Sequence, residues 1–170
     1  MDTLSGTKAR AQLDEAYRVL TEKYDYGFMD GGCYLLAKAL FETSKKVQIK
    51  VLVREGRADH YLVKVIDEDK NSFYLDYDGI YSTEDEAIEY YITEGIMPIG
   101  TKSTELKIVD KNTVKEDSEI PSDDKIVTTI KPYILNVIDS SILKNKEINF
   151  LKSSLREVET EVLYTEIIKR

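Results

Sequence analysis

The stretch that decides the fold runs His60-Tyr61-Leu62-Val63-Lys64-Val65-Ile66, then Asp67-Glu68-Asp69-Lys70-Asn71, then Phe73-Tyr74-Leu75-Asp76-Tyr77-Asp78-Gly79. The outer runs are rich in β-branched and aromatic residues, the loop between them is polar, and Asp78-Gly79 is turn chemistry. Just upstream, Val47-Gln48-Ile49-Lys50-Val51-Leu52-Val53 alternates with a period of two, and 54–57 carries Gly56 as a turn residue. Three successive strands joined by short turns predict a small antiparallel sheet.

Helical signals flank these strands. Asp30-Gly31-Gly32 leads into Cys33-Tyr34-Leu35-Leu36-Ala37-Lys38-Ala39-Leu40-Phe41, a largely apolar run. Asp30 is the expected N-cap, which sets Cys33 at the third helical position with Leu36, Ala37, Leu40 and Phe41 facing the core. From Gly6 to about Lys23, Ala11, Leu13, Ala16, Tyr17 and Leu20 recur at helical spacing. Ser82-Thr83 followed by Glu84-Asp85-Glu86 opens a further helix that runs to about Thr93.

The C-terminal part is less strongly patterned. Glu105 to Val109 reads as a short strand, and 111–124, acidic and holding Pro121, as an exposed loop. Pro132 suits the first turn of a helix over about 133–143. The longest helical signal covers 147–169, where Ile148, Leu151, Leu155, Val158 and Val162 make an a/d-like stripe widened by Leu163, Ile167 and Ile168. Two readings of that stripe stay open: a helix lying on its own domain, or a helix that pairs with a partner or in a homodimer. The expected organisation is α+β, with a core and its N-terminal helix over 1–100, an acidic linker over 101–125 and a helical extension over 126–170.

Composition narrows the function classes. The 170 residues are 42% apolar, enough for a proper core. Acids outnumber Lys and Arg by 32 to 24, and the net charge of −8 argues against binding a phosphate backbone. No apolar run approaches the ~18 residues of a membrane span, and no charged-then-apolar leader opens the chain. One cysteine and one histidine make neither an internal disulfide nor an ordinary zinc site. The expectation is a cytoplasmic protein without metal or organic cofactor, acting on a protein, a peptide-like substrate or a partner protein, with neither nucleic acid nor membrane.

One constellation carries chemistry. The sole cysteine, Cys33, sits at a predicted helix start, where unpaired N–H groups and positive potential favour a thiolate and can hold an oxyanion. The sole histidine, His60, opens a strand and is suited to take the thiol proton and return it to a leaving group. Asp76 closes the next strand, 16 residues on, and would orient the imidazole. In an antiparallel hairpin those two ends lie side by side. Asp78 competes for that role and has the same face parity, but it belongs to the turn pair with Gly79.

In this order the residues resemble the transglutaminase-like branch of the papain-like cysteine fold: Gly32-Cys33-x-x-x-Ala37-x-x-Leu40, an apolar strand, His60 on a strand, then Leu75-Asp76-x-Asp78-Gly79. Short bacterial and phage members carry a similar Gly-Gly-Cys helix and Leu-Asp-x-Asp-Gly ending. The likeness covers about 26–91. It implies a Cys-bearing helix packed on a small antiparallel sheet, with Cys33 as nucleophile, His60 as base and Asp76 as its orienter. It departs from the family in having no tryptophan, a Cys33-to-His60 separation of only 27 residues, and no Gln shortly before Cys33 to donate to an oxyanion. Gly32, Tyr24 and Tyr26 are the residues expected near that position. Two functions are implied: a thiol-dependent peptidase, amidase, deamidase or transglutaminase, or a non-catalytic phage-type or mobile-element protein that occludes a partner with the same scaffold.

Overall fold

The computed structural model describes the backbone of residues 2–3, 7–27, 31–114 and 124–168, and the side chains of 7–27, 31–114 and 124–153. In chain order the elements are β1 (Asp2–Thr3), α1 (Lys8–Tyr24), α2 (Cys33–Thr43), β2 (Val47–Arg54), β3 (Arg57–Ile66), β4 (Ser72–Leu75), β5 (Gly79–Tyr81), α3 (Glu84–Thr93), β6 (Leu106–Asp110), α4 (Asp124–Ile130) and α5 (Val137–Ile168). The chain is therefore α+β. The strands form one sheet in the order β1-β5-β4-β3-β2-β6, and every neighbouring pair is antiparallel.

Alternation along the strands sends their residues into two cores. On one face Val51, Tyr61, Val63, Val65 and Leu75 pack against apolar residues of α1, α2, α4 and the start of α5. On the other, Leu52, Leu62, Tyr74 and Tyr81 pack beneath Ala87, Ile88 and Tyr91 of α3. β2 and β3 are joined at Glu55 and Gly56, both at positive φ (52° and 80°), the tight two-residue turn whose twist suits a strand pair.

Several expectations shift. The first helix starts at Lys8, because the Thr7 hydroxyl caps it by accepting from the Arg10 N–H. Ala11 is exposed, and Ala9 and Val19 complete the buried stripe instead. Phe41 is 51% exposed rather than core-facing, since it falls one position past the buried row that ends at Leu40. The strand expected over 73–77 is β4 and stops at Leu75, and β5 follows it within four residues. The 101–125 segment is not all linker, because β6 pairs with β2. Likewise, 126–148 is not an appendage: Ile126, Val127, Ile130, Ile134, Val137 and Ile138 belong to the main core. Pro132 lies in a 3-10 turn (Lys131–Tyr133) that separates α4 from α5, and the two expected C-terminal helices are one. Along the expected stripe, Ile148 is buried and Leu151 is exposed, while the side chains from Leu155 onward, and residues 115–123 where an exposed loop is expected, lie outside the described residues.

Candidate active site

Asp76 is the anchor. The chain leaves β4 at Leu75 and turns back through a bond from the Asp76 N–H to the Gly79 carbonyl (3.2 Å). Asp76 then caps its own turn: Oδ1 accepts from the backbone N–H of Asp78 (2.8 Å) and of Gly79 (3.1 Å). The same oxygen accepts the Tyr81 hydroxyl (3.1 Å), and Oδ2 accepts the Tyr91 hydroxyl. A buried carboxylate is tolerated only where donors replace water, and four of them converge here before the imidazole is counted.

The imidazole is placed by register. Val63 lies opposite Leu75, so continuing that pairing would set Leu62 opposite Asp76 and His60 opposite Asp78. The turn ends the ladder first, and the Asp76 side chain reaches His60 along the diagonal, with Nε2 and Oδ2 3.1 Å apart. A bulge between Leu52 and Val53 of β2 leaves Asp59 as an extra residue on β3 immediately before His60. Such an insertion re-aims the following side chain. Asp59 is itself held by Arg54 (2.7 Å). The His60 ring also packs on Tyr91, with centroids 4.9 Å apart.

Cys33 comes from the opposite face. The Gly32 N–H bonds the Gly27 carbonyl (3.0 Å), a wide π turn, and α2 proper begins at Cys33. Counted from the π turn at 31–32, Cys33 is the third helical residue, although the expected cap, Asp30, lies outside the described residues. Below Leu75, β3 no longer has β4 beside it, and there the thiol and the imidazole meet. With Nε2 on the carboxylate, Nδ1 is the ring nitrogen left for the thiol.

Electrostatics couple the three groups. Burial alone would lower the His60 pKa, but hydrogen bonding to Asp76 and Cys33 outweighs it and pushes the imidazole up to about 10. Burial would raise Asp76, yet the His60 bond, with help from Tyr91 and Gly79, holds it below the usual carboxylate range. Burial and the nearby Asp76 charge push the Tyr81 and Tyr91 phenols up, so both remain donors.

Cys33, His60 and Asp76 line one pocket of about 310 Å³. Its apolar wall is Leu36, Ala37 and Leu40, which share the Cys33 stripe of α2 at helical spacing. Tyr17, Tyr77 and Asp78 contribute a further part of the lining. The residues expected near an oxyanion are placed otherwise. Tyr24 bonds the Thr129 hydroxyl (3.0 Å), Tyr26 packs against the main core, and the Gly32 N–H is used by the π turn. Among the described residues no cluster of three His, Cys, Asp or Glu side chains is arranged to hold a metal ion.

Nothing local in the sequence singles out Tyr81 and Tyr91 as site residues. Their signal is faint, because only the folding of β5 and α3 across the sheet brings both hydroxyls to one carboxylate. Comparison of the chain with protein-family models, with curated proteins and with solved structures finds no match.

Proposed function

We propose that the protein is a thiol-dependent acyl-transfer enzyme on a minimal papain-like or transglutaminase-like core. One observation carries this reading: a buried His60–Asp76 pair interacts with the only cysteine, at the start of a helix, inside a single pocket. Asp76 fixes the imidazole and supports its positive charge, and His60 holds the proton taken from the Cys33 thiol. The thiolate sulfur attacks the acyl carbon, and His60 returns the proton to the departing amine, leaving a thioester. Water or an amine then attacks the thioester and gives its proton to His60, and the thiolate leaves. The substrate is peptide-like, and a thiol nucleophile of this kind is kept reduced in the cytoplasm.

The test is the rate of Cys33 alkylation by iodoacetamide as a function of pH, in the native chain and in His60→Ala. A single cysteine leaves no background thiol. The expected result is fast alkylation already at pH 6, reduced about tenfold or more by His60→Ala at that pH. Slow alkylation at pH 6 with the same profile in both proteins would refute the enzyme.

A second reading is favoured by Leu143, Phe150 and Leu151, which are 66%, 70% and 58% exposed on α5. These residues suit a partner or homodimer face, and the protein would then act by occlusion. Cys33→Ala separates the two readings: an enzyme loses its effect, and a binder that is still folded keeps it.

A further inference from the structure

The pocket contains one charged group that the triad does not use. Asp78 lines the same cavity as Cys33 and is half-buried, with its backbone N–H committed to Asp76. Among the described residues no hydrogen bond or ion pair reaches its carboxylate. Arg10, a cation outside the triad whose charge acts on Asp78, makes its direct contacts elsewhere. Its Nη1 bonds the Tyr77 carbonyl (2.9 Å), its Nε pairs with Asp14 (2.9 Å), and its guanidinium lies 4.0 Å over the Tyr77 ring. Burial and the Asp76 charge oppose the charge on Asp78, and His60 and Arg10 favour it.

The remaining wall is apolar. Leu36, Ala37 and Leu40 extend from Cys33 along one face of α2, and the Tyr17 and Tyr77 rings, 5.2 Å apart, stand with Asp78 in the lining. A ligand that satisfies both features has a hydrocarbon stem and a cationic end, as a lysine-like or arginine-like side chain does. An anionic group would face Asp78 without a partner, and a purely apolar one would leave its carboxylate desolvated and unpaired.

We infer that Asp78 is a specificity-determining residue and that the pocket selects acyl substrates carrying an aliphatic chain with a terminal cation next to the reacting carbonyl. This rests on Cys33 being the reactive nucleophile and adds the substrate class.

The experiment uses the full chain and three methanethiosulfonate reagents of similar size, bearing an ethylammonium, an uncharged ethyl or an ethylsulfonate group. Each rate at Cys33 is divided by that reagent's rate with a free small thiol. The expected native order is cation, neutral, anion, with cation over anion at about tenfold or more. Asp78→Asn is expected to bring that ratio below about threefold, while Asp78→Glu and the exposed control Asp85→Asn keep the native ratio. Each ratio is taken within one protein, so a change in overall thiol reactivity cancels, and circular dichroism shows whether Asp78→Asn is folded. If Asp78→Asn does not fold, Asp78→Glu against native decides: the carboxylate that Glu retains must preserve the ratio, and its loss there overturns the assignment. A native ratio near one, or one equally large in Asp78→Asn, also overturns the assignment while leaving the nucleophile intact. A Cys33 inert to all three reagents overturns the enzyme reading, and the substrate class with it.

Discussion

The two faces of the sheet are built from alternate residues of the same strands and do different work. The face under α1, α2 and α4 has a mainly aliphatic interior, among its residues Leu13, Leu20, Leu35, Leu40 and Ile130, with several tyrosines packed around it. The face under α3 is thinner and rich in tyrosine, with Tyr74, Tyr81 and Tyr91 each directing a hydroxyl to a carboxylate. Burial on the first face supplies most of the stability, whereas the second face replaces water around Asp76. The candidate site lies where they communicate, at the end of the β3–β4 ladder. A buried ion is held by its donors, and those donors are most readily placed on the face that is not needed for aliphatic packing.

The strongest way to break this division is Asp76→Ala. It leaves His60 buried without its partner and four donors unsatisfied, and the expected loss is about 3–5 kcal/mol. Leu13→Ala on the aliphatic face costs about 2–5 kcal/mol by opening a cavity. Thiol reactivity separates the two variants: Leu13→Ala leaves the pH profile of Cys33 alkylation unchanged, and Asp76→Ala slows alkylation at pH 6. Urea unfolding with parallel alkylation checks both, and an altered alkylation profile in Leu13→Ala would show that the faces are not separable.

Tyr91→Phe sharpens the contrast by removing one hydroxyl and keeping the ring against His60. The expected cost is about 1–3 kcal/mol, the worth of a hydrogen bond to a buried charge, again by urea unfolding. Most of that cost disappears where Asp76 is protonated, so the native and variant curves converge at acid pH. A cost independent of pH would assign Tyr91 to packing alone.

The smallest effect belongs to the helical face. The Ser141 hydroxyl on α5 is fully buried and has no hydrogen-bond partner among the described residues. Ser141→Ala removes that penalty, and thermal unfolding is expected to show a gain of up to about 1 kcal/mol. A loss would mean that the hydroxyl is satisfied by water.

The strands and helices with strong periodicity are legible in the sequence. Alternation reveals β2 and β3, and the Gly-Gly-Cys run reveals α2, because each signal is local. β5 escapes because three buried residues have no alternation to display, and α4 because its seven residues are too short for a helical stripe. The pairing of His60 with Asp76 is legible from hairpin geometry. The route by which it forms is not: it needs the bulge at Asp59 and the turn that Asp76 caps with its own side chain. Closeness in sequence places Tyr24 near the nucleophile, yet α4 draws its hydroxyl to Thr129.

The pH dependence of stability has its origin in the same pair. The His60 pKa rises on folding from 6.5 to about 10, so its contribution is complete below pH 6.5 and is lost as the pH rises toward 10. Asp76 is depressed on folding, so its contribution is present above the ordinary carboxylate range and is lost as the pH falls through it. The most direct measurement of the central claim is the NMR titration of the single imidazole, in the native chain and in Cys33→Ala. If Cys33, His60 and Asp76 form one coupled unit, native His60 stays protonated through neutral pH and titrates near 10, and Cys33→Ala titrates at clearly lower pH. Titration near 6.5 in both proteins would contradict the account.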